Sequence, residues 1–449
     1  MILRNMGYNK LKILHTSDWH LGRTLYGKKQ RYDEQEKFLA WLLATVKQHN
    51  IDILIVAGDI FDTATPSSRA QTMYFGFLGK IQKTGCSNVV IVAGNHDSPS
   101  LLDAPKEILT AMNITVVGNA TEKIADEVKV IKNTENQPIV IVCAVPYLRQ
   151  RDLQLSADDD NISEKSRKIA EGIRHHYEQV AHIAEEKRKA LSEKIPIVAT
   201  GHLFTAGGQT ITDDGVRDLY VGSLEGVESS IFSPLFDYVA LGHLHIPQKV
   251  NNQENIRYSG SPIPMGFGEC KQQKQVNIIT FSDGSPQIEP VPVPVFQQLE
   301  SIRGDKEFIL HKINESGKTA ESVWLEIIYT GNEIWGNMSE SIGQEAAQYP
   351  QIEIIRIVNQ NLYNAVINSQ KNNETLDDLN EKEVFERCLK ANNIAEEQCE
   401  ALRNCYNEIL TDIADRENTF NNPQITQIYT EKRICENLRQ SVDKKNTAS

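Results

Sequence analysis

Residues 53–62 read Ile-Leu-Ile-Val-Ala-Gly-Asp-Ile-Phe-Asp, a short apolar run that breaks at Gly58 into an acidic loop. Such a run is a buried strand, and the loop at its end is where an open α/β sheet presents ligands to solvent. The same grammar recurs along the chain: LKILHTS leads into Asp18-Trp19-His20, NVVIVAG into Asn95-His96-Asp97, IPIVAT into Gly201-His202, and FDYVAL into Gly242-His243-Leu244-His245. Amphipathic stretches over roughly 31–49, 67–84 and 100–111 alternate with these strands. That alternation predicts a layered α/β sandwich with the polar loops gathered at one end.

The residue types in those loops point to phosphoryl chemistry. In-line displacement at phosphorus uses two cations about 3.5–4 Å apart, which activate water and neutralise the phosphoryl oxygens. A bridging carboxylate holds such a pair, and Asp59 is its natural candidate, because its loop lies between the Asp18/His20 loop and the Asn95 loop in chain order. Imidazoles and one amide complete two mixed nitrogen/oxygen shells. They suit manganese, iron or zinc better than an all-oxygen magnesium or calcium cage, and spacing does not choose among the three.

Each motif alone also has an ordinary reading, since Gly-Asp after a strand is a common turn and Asn and Asp favour turns generally. All of them in order outweigh that reading. His15, inside the first apolar run, reads as a packed histidine or one beside the ligands. His49, His175, His176, His182 and His311 follow no strand-end pattern and read as structural or solvated.

The 449 residues, 40% of them hydrophobic, suffice for two or three domains. The start, Met1 to Lys10, has Arg4 and Lys10 but no long apolar segment, so no secretory signal is expected. No run is long enough to cross a bilayer; PIVIVCAVP reads as a buried strand, and the expected location is cytoplasmic. Seven cysteines without a C-x-x-C pair argue against a disulfide framework and a structural zinc site. The net charge of −13 gives no global basic face of the kind a DNA-gripping protein shows. Local excesses exist at Arg23, Lys28, Lys29 and Arg31 and at Arg149 and Arg151, each balanced against an ordinary solvated loop.

Through ILHTSDWHLG, VAGDIFDT, AGNHDS, ATGHLFT, VRDLYVGSLE, LGHLHIPQ and RYSGSPIPMGF, from about Leu11 to at least Glu300, the chain resembles the calcineurin-like metallophosphoesterases. Within them it is similar to the SbcD family of nuclease subunits. The resemblance implies a four-layer α/β sandwich and two divalent metal ions, with manganese favoured. One ion would be held by Asp18, His20, Asp59 and His245, and the other by Asp59, Asn95, His202 and His243. His96 would assist the leaving 3′ oxygen as general acid, with Asp97 fixing its ring by a hydrogen bond to the other nitrogen. Position 62 is Asp here, whereas some relatives have histidine there.

The resemblance also implies partners: an SbcC-type SMC-like ATPase, and DNA as double-strand ends, hairpins or single strands. A homodimer through helices near 67–110 is implied too, and no membrane. The function so implied is a double-strand exonuclease, ATP-dependent with SbcC, and a single-strand and hairpin endonuclease, serving DNA repair, recombination and replication. Two other readings compete: a small-molecule or cyclic-nucleotide phosphodiesterase, and a non-catalytic DNA-binding scaffold. A cap and a long tail are superfluous to the first, and the full set of metal-ligand residue types to the second.

Three domains are expected: a metallophosphoesterase domain over 11–290, a small α/β capping domain over 291–370, and a helical SbcC-binding region and tail over 371–449. A charged helical insertion is expected from about Asp158 to Lys194. Prolines 286, 290, 292 and 294 mark the first boundary as linker or edge positions. SVWLEIIYT and QIEIIRIVN flank a helical stretch in the second domain. In the tail, Val384, Phe385, Leu389, Ile394, Leu402, Tyr406, Ile409, Leu410 and Ile413 fall at helical spacing, as in a helix that docks on a partner.

Overall fold

The computed structural model describes residues 10–153, 162–191, 194–205, 227–282, 286–318, 322–333, 335–360 and 403. The proposed tail helices with their apolar positions lie outside the described residues, as does VRDLYVGSLE. The chain divides into two compact units, Met1–Tyr329 with Glu333–Val358, and Thr330–Asn332 with Asn359–Ser449. Everything below concerns the first.

Two six-stranded sheets form the body. In the first, the parallel strands Leu11–Thr16, Ile53–Ala57, Asn88–Val92 and Ile114–Val117 lie side by side, and Gln275–Phe281 joins antiparallel to Leu11–Thr16. In the second, Pro138–Cys143, Ile197–His202, Tyr238–Gly242 and Gln253–Tyr258 run parallel between the short edge strands Val128–Lys132 and Gln248–Val250. Ile13, Ile55, Val90, Val142, Val198 and Ala240 meet in a core between the sheets. Helices Tyr32–His49 and Ser68–Ile81 cover the outer face of the first sheet through Phe38, Leu42, Tyr74 and Phe77. Helix Ile162–Leu191, from the expected insertion, covers the second through Ile169, Ile173, Tyr177 and Val180. The result is the layered α/β sandwich expected from the alternation of strands and helices, with the four layers that the resemblance implies. Its strands read as continuous apolar runs because both faces of each sheet are covered.

Of the linker and edge positions expected of the proline-rich stretch, it takes the edge. Gln287–Pro292 pairs antiparallel with Gln275–Phe281 at the margin of the first sheet, where a proline forfeits no ladder bond. The break to the next sheet therefore falls between Pro292 and Gln298. A three-stranded sheet follows, Gln298–Gly304, Val323–Tyr329 and Ile352–Asn359, with helices Lys306–Ser316 and Met338–Ala346 over a core of Ile302, Ile309, Ile313, Leu325 and Ile342. Its Leu299, Trp324 and Ile355 pack against Leu25 and Phe267 of the body.

Candidate metal centre

All the predicted ligands sit at the C-terminal ends of central strands of the two sheets, whose ends meet over one buried patch. The Asp18 and Asp59 loops run side by side, stitched by Asp18 N to Gly58 O (3.0 Å), His20 N to Asp59 O (3.0 Å) and Leu21 N to Ile60 O (2.9 Å). Trp19 anchors the first loop from below: it is buried edge-on to Phe38 and Phe77 and donates to Thr16 Oγ1 at 3.1 Å. Asp18, His20, Asp59 and His243 all have positive φ, 53°, 44°, 49° and 103°. Left-handed backbone costs a non-glycine residue roughly 1–3 kcal/mol and persists where the surroundings impose it for function. Gly94 leaves the space this requires, since a Cβ there would lie 2.1 Å from Asp59 Oδ1.

The imidazoles show what the patch is built to hold. His202 Nδ1 lies 3.0 Å from the carbonyl oxygen of Ala57, so that nitrogen bears the proton. Its Nε2 points at two oxygens, Asp59 Oδ2 at 3.2 Å and Asn95 Oδ1 at 3.0 Å. His20 Nδ1 faces Asp62 Oδ1 at 3.3 Å and His245 Nδ1 faces Glu269 Oε1 at 3.4 Å. Their two Nε2 atoms lie 3.2 Å apart, within hydrogen-bond distance, beside Asp18. Two imidazole nitrogens and a carboxylate converging on one point are the donor set of a nitrogen/oxygen metal site. Asp18, His20 and His245 make one such group, and Asp18, Asp59 and His202 another.

Asp18 belongs to both groups, and Asp59 of the second also reaches toward His20 of the first. Asp59 Oδ1 accepts from His96 N at 2.9 Å, while Oδ2 faces both His202 Nε2 and, at 3.6 Å, His20 Nε2. Burial pushes the Asp59 carboxyl up, but His202 and His20 prevail and hold it well below the usual range. Burial lowers His202, yet the Asp59 carboxylate and then Asp18 raise it to about 9, a proton standing where a cation would bind. His243 is buried with its ring 5.5 Å from that of His202, and its backbone N–H donates to Asp18 Oδ1 at 2.9 Å. Every predicted ligand is therefore in the patch.

His96 sits with its ring 4.8 Å from that of His20, and its Nδ1 donates to the carbonyl oxygen of Asp62 at 2.7 Å, leaving Nε2 free of that bond. This corrects the role expected of Asp97, which does not hold that ring. The Asp97 carboxylate turns back into its own loop and accepts from Gly94 N (2.8 Å), Phe61 N (2.9 Å) and Ile60 N (3.2 Å). Three amides hold it, so it fixes the backbone under both Asp59 and His96. Burial and then the Asp59 carboxylate push its carboxyl up to about 7 in spite of those donors. His15 is packed between the sheets, with Tyr238 Oη at 3.0 Å and Leu241 O at 3.2 Å. His49, His175, His176, His182 and His311 stay away from the centre: His176 pairs with Glu127 at 2.7 Å, His175 with Gln179 at 2.7 Å, and His311 is exposed.

Motif reading missed Glu269 and Lys274. Glu269, fully buried behind His245, accepts from Lys274 Nζ at 2.5 Å, and that ammonium also donates to His245 O at 2.9 Å and Ser261 Oγ at 3.0 Å. Burial raises the Glu269 carboxyl, but Lys274 and then His245 bring it to about 2. The stabilisation from the depressed value is present above the ordinary carboxylate range and fades as pH falls toward 2. Glu269→Gln should cost roughly 3–5 kcal/mol at neutral pH by stranding the Lys274 charge, and weaken metal binding about 10–100-fold through His245. Thermal unfolding against pH should show the gap to the parent closing below about pH 4.5; a gap constant down to pH 2 would contradict the pairing.

The two basic clusters part ways. Arg31 is buried on Glu34 (2.7 Å) and the Pro264 carbonyl, Arg23 pairs with Asp62 at 3.0 Å, and Lys29 pairs with Glu353 at 2.5 Å beneath Trp324. Arg356 in turn lies over the Tyr26 ring, 4.7 Å from its centre. The turn from 23 to 31 thus joins the metal loop to the three-stranded sheet, and Lys28 alone of its four cations is exposed. Arg149 and Arg151 keep an open face.

Comparison with known proteins agrees with this geometry. The calcineurin-like phosphoesterase family matches residues 11–247, and the "Type 5 capsule protein repressor C-terminal domain" family matches 295–393. The SbcD subunit of the SbcCD nuclease from Escherichia coli K12 is 35% identical over 407 residues, 90% of this chain and 99% of that protein. The SbcD subunits from Rhodobacter capsulatus and Bacillus subtilis are each 32% identical, over 64% and 61% of this chain and 70% and 67% of their own lengths. Among solved structures, a dimetal phosphatase from Danio rerio aligns over 63% of this chain and 99% of its own at 11% identity, with a TM-score of 0.33.

Proposed function

This chain belongs to the calcineurin-like phosphoesterase family and, within it, to the SbcD subunits of SbcCD nucleases, and on that premise we propose how its centre cuts DNA. It is a metal-dependent nuclease, a phosphodiester hydrolase. Two divalent cations, manganese by preference, supply charge neutralisation and water activation when bound, one with Asp18, His20, Asp59 and His245, the other with Asp59, Asn95, His202 and His243. The observation that supports this most is the convergence of the His20, His245 and His202 Nε2 atoms on the Asp18 and Asp59 carboxylates.

The chain's own groups divide the remaining work. Asp59, placed between the two clusters, holds them at fixed separation. His96, oriented through Nδ1 by the Asp62 carbonyl, offers Nε2 to the leaving 3′ oxygen as general acid. Asp97 keeps the amides of residues 60, 61 and 94 in place beneath both.

In the proposed activity the chain acts on single strands and hairpins as an endonuclease, and on double-strand ends as an exonuclease that needs an SbcC-type SMC-like ATPase and ATP. This serves DNA repair, recombination and replication. Two copies would pair through helices Ser68–Ile81 and Lys106–Ala111, where Phe75 and Ile108 are exposed, Ile108 by 70%. We place the protein in the cytoplasm, where the free Cys86, Cys143 and Cys270 stay reduced. No helix among the described residues is long and apolar enough to cross a membrane.

The body would be the nuclease domain (11–290), the three-stranded sheet a cap that admits DNA (291–370), and 371–449 the SbcC-binding region. Incubating hairpin-ended DNA with the protein, manganese and SbcC, with and without ATP, tests this. Hairpin opening should need manganese, and resection of duplex ends should need ATP; ATP-independent resection without SbcC would contradict it. Truncation after Asn372 should leave manganese-dependent cutting of single strands and abolish association with SbcC in co-purification. Retention of SbcC at parental affinity would remove the tail from that role.

A further inference from the structure

We infer that Arg149 and Arg151 form a binding site for a backbone phosphate of the substrate strand, next to the phosphate being hydrolysed and separate from it. The inference rests on the nuclease reading and names the groups that hold the strand. Both guanidinium groups reach one neutral acceptor, Asn119 Oδ1, at 3.5 Å each. Two cations converging on a single amide oxygen repel each other, and a shared anion relieves that repulsion.

Arg149 has the stronger claim. It is half-buried, and its other acceptor is the carbonyl oxygen of Asp97 at 3.4 Å, one residue beyond His96. Among the described residues no carboxylate pairs with its guanidinium. Asp152 lies 3.6 Å from Arg151 Nε and offsets that charge in part, and its other oxygen accepts from Arg149 N at 2.8 Å.

Position ties the pair to the centre. The Arg149 guanidinium lies 5.5 Å from the centre of the Tyr147 ring, and that ring stands 6.5 Å, edge-on, from His202. Arg149 therefore sits one ring away from a proposed metal ligand and in contact with the loop of the proposed acid. A guanidinium presents a planar fork of donors that matches phosphate oxygens. In a chain whose net charge is −13, a local cationic pair is what would hold a polyanion at this point.

Arg149→Gln, Arg151→Gln, the double variant and Arg149→Lys are compared with the parent under manganese. The substrates are a single-stranded thymidine oligonucleotide, which has neighbouring phosphates, and bis(4-nitrophenyl) phosphate, which has none. The ratio of kcat/KM for the oligonucleotide to that for the small ester should fall on the order of tenfold or more in the double variant, mostly through KM. The slope of log KM against log salt should drop by about one for each arginine removed, and Arg149→Lys should keep the parental slope. Equal losses on both substrates would make Arg149 a prop for the His96 loop and overturn the site, as would an unchanged salt slope in the double variant. A parent that hydrolyses the small ester and no oligonucleotide would instead overturn the nuclease reading, and this site with it.

Discussion

Asp59→Asn should remove hydrolysis of every phosphodiester substrate, by more than about 10⁴-fold, or at least about 5 kcal/mol of barrier. The amide keeps an oxygen for the His96 N–H, 2.9 Å away in the parent, so the loop should stand. What changes is the atom between the clusters. Oδ2, which faces His202 Nε2 at 3.2 Å and His20 Nε2 at 3.6 Å, becomes an NH₂ that no longer accepts from His202 and has no lone pair for a cation. The metal-free variant should bind fewer cations and, having lost the buried pairing with Asp59 that raises His202 to about 9, should unfold earlier than the parent at neutral pH. A variant that still nicked single-stranded DNA at a tenth of the parental rate would end the bridging role.

His96→Ala should behave differently. Its ring is oriented by the Asp62 carbonyl and is assigned no place among the ligands, so both cations should remain. Cleavage should fall by roughly 10²–10⁴, the usual effect of losing one general acid. The loss should shrink on bis(4-nitrophenyl) phosphate, whose leaving group departs without a proton. Calorimetry finding one manganese fewer in His96→Ala would make His96 a ligand, and an undiminished loss with the good leaving group would remove it as the acid.

The parts of this site legible in the sequence are those where one letter does one job at a strand end. Asp18, His20, Asp59, Asn95, His202, His243 and His245 each follow an apolar run, and strand ends in an open sheet converge whatever the loops between them do. Backbone groups have no letter, which is why the support of His96 went to Asp97 in the sequence reading and belongs to the Asp62 carbonyl in the structure. Glu269 and Lys274 lie beyond the last motif, in a turn and at the entry to an edge-side strand. They become neighbours of His245 only when the strand Gln275–Phe281 returns beside Leu11–Thr16.

Charge was legible as composition but not as availability. Arg23, Lys29 and Arg31 spell a basic patch in sequence and are mostly consumed by Asp62, Glu353 and Glu34 in the fold, residues up to several hundred positions away. The fold itself followed from periodicity, except at its margins. The prolines near 290 read as a boundary and form an edge strand, because an edge demands donors on one side only.

The most direct measurement counts bound manganese and cut DNA in the same sample, titrating manganese into the metal-free protein with single-stranded and hairpin DNA present. Cleavage should appear as a second ion per chain binds, and should vanish when a chelator strips the centre. A chain that holds two manganese ions and leaves both DNAs intact, or one that cuts them undiminished after chelation, would contradict a two-cation nuclease.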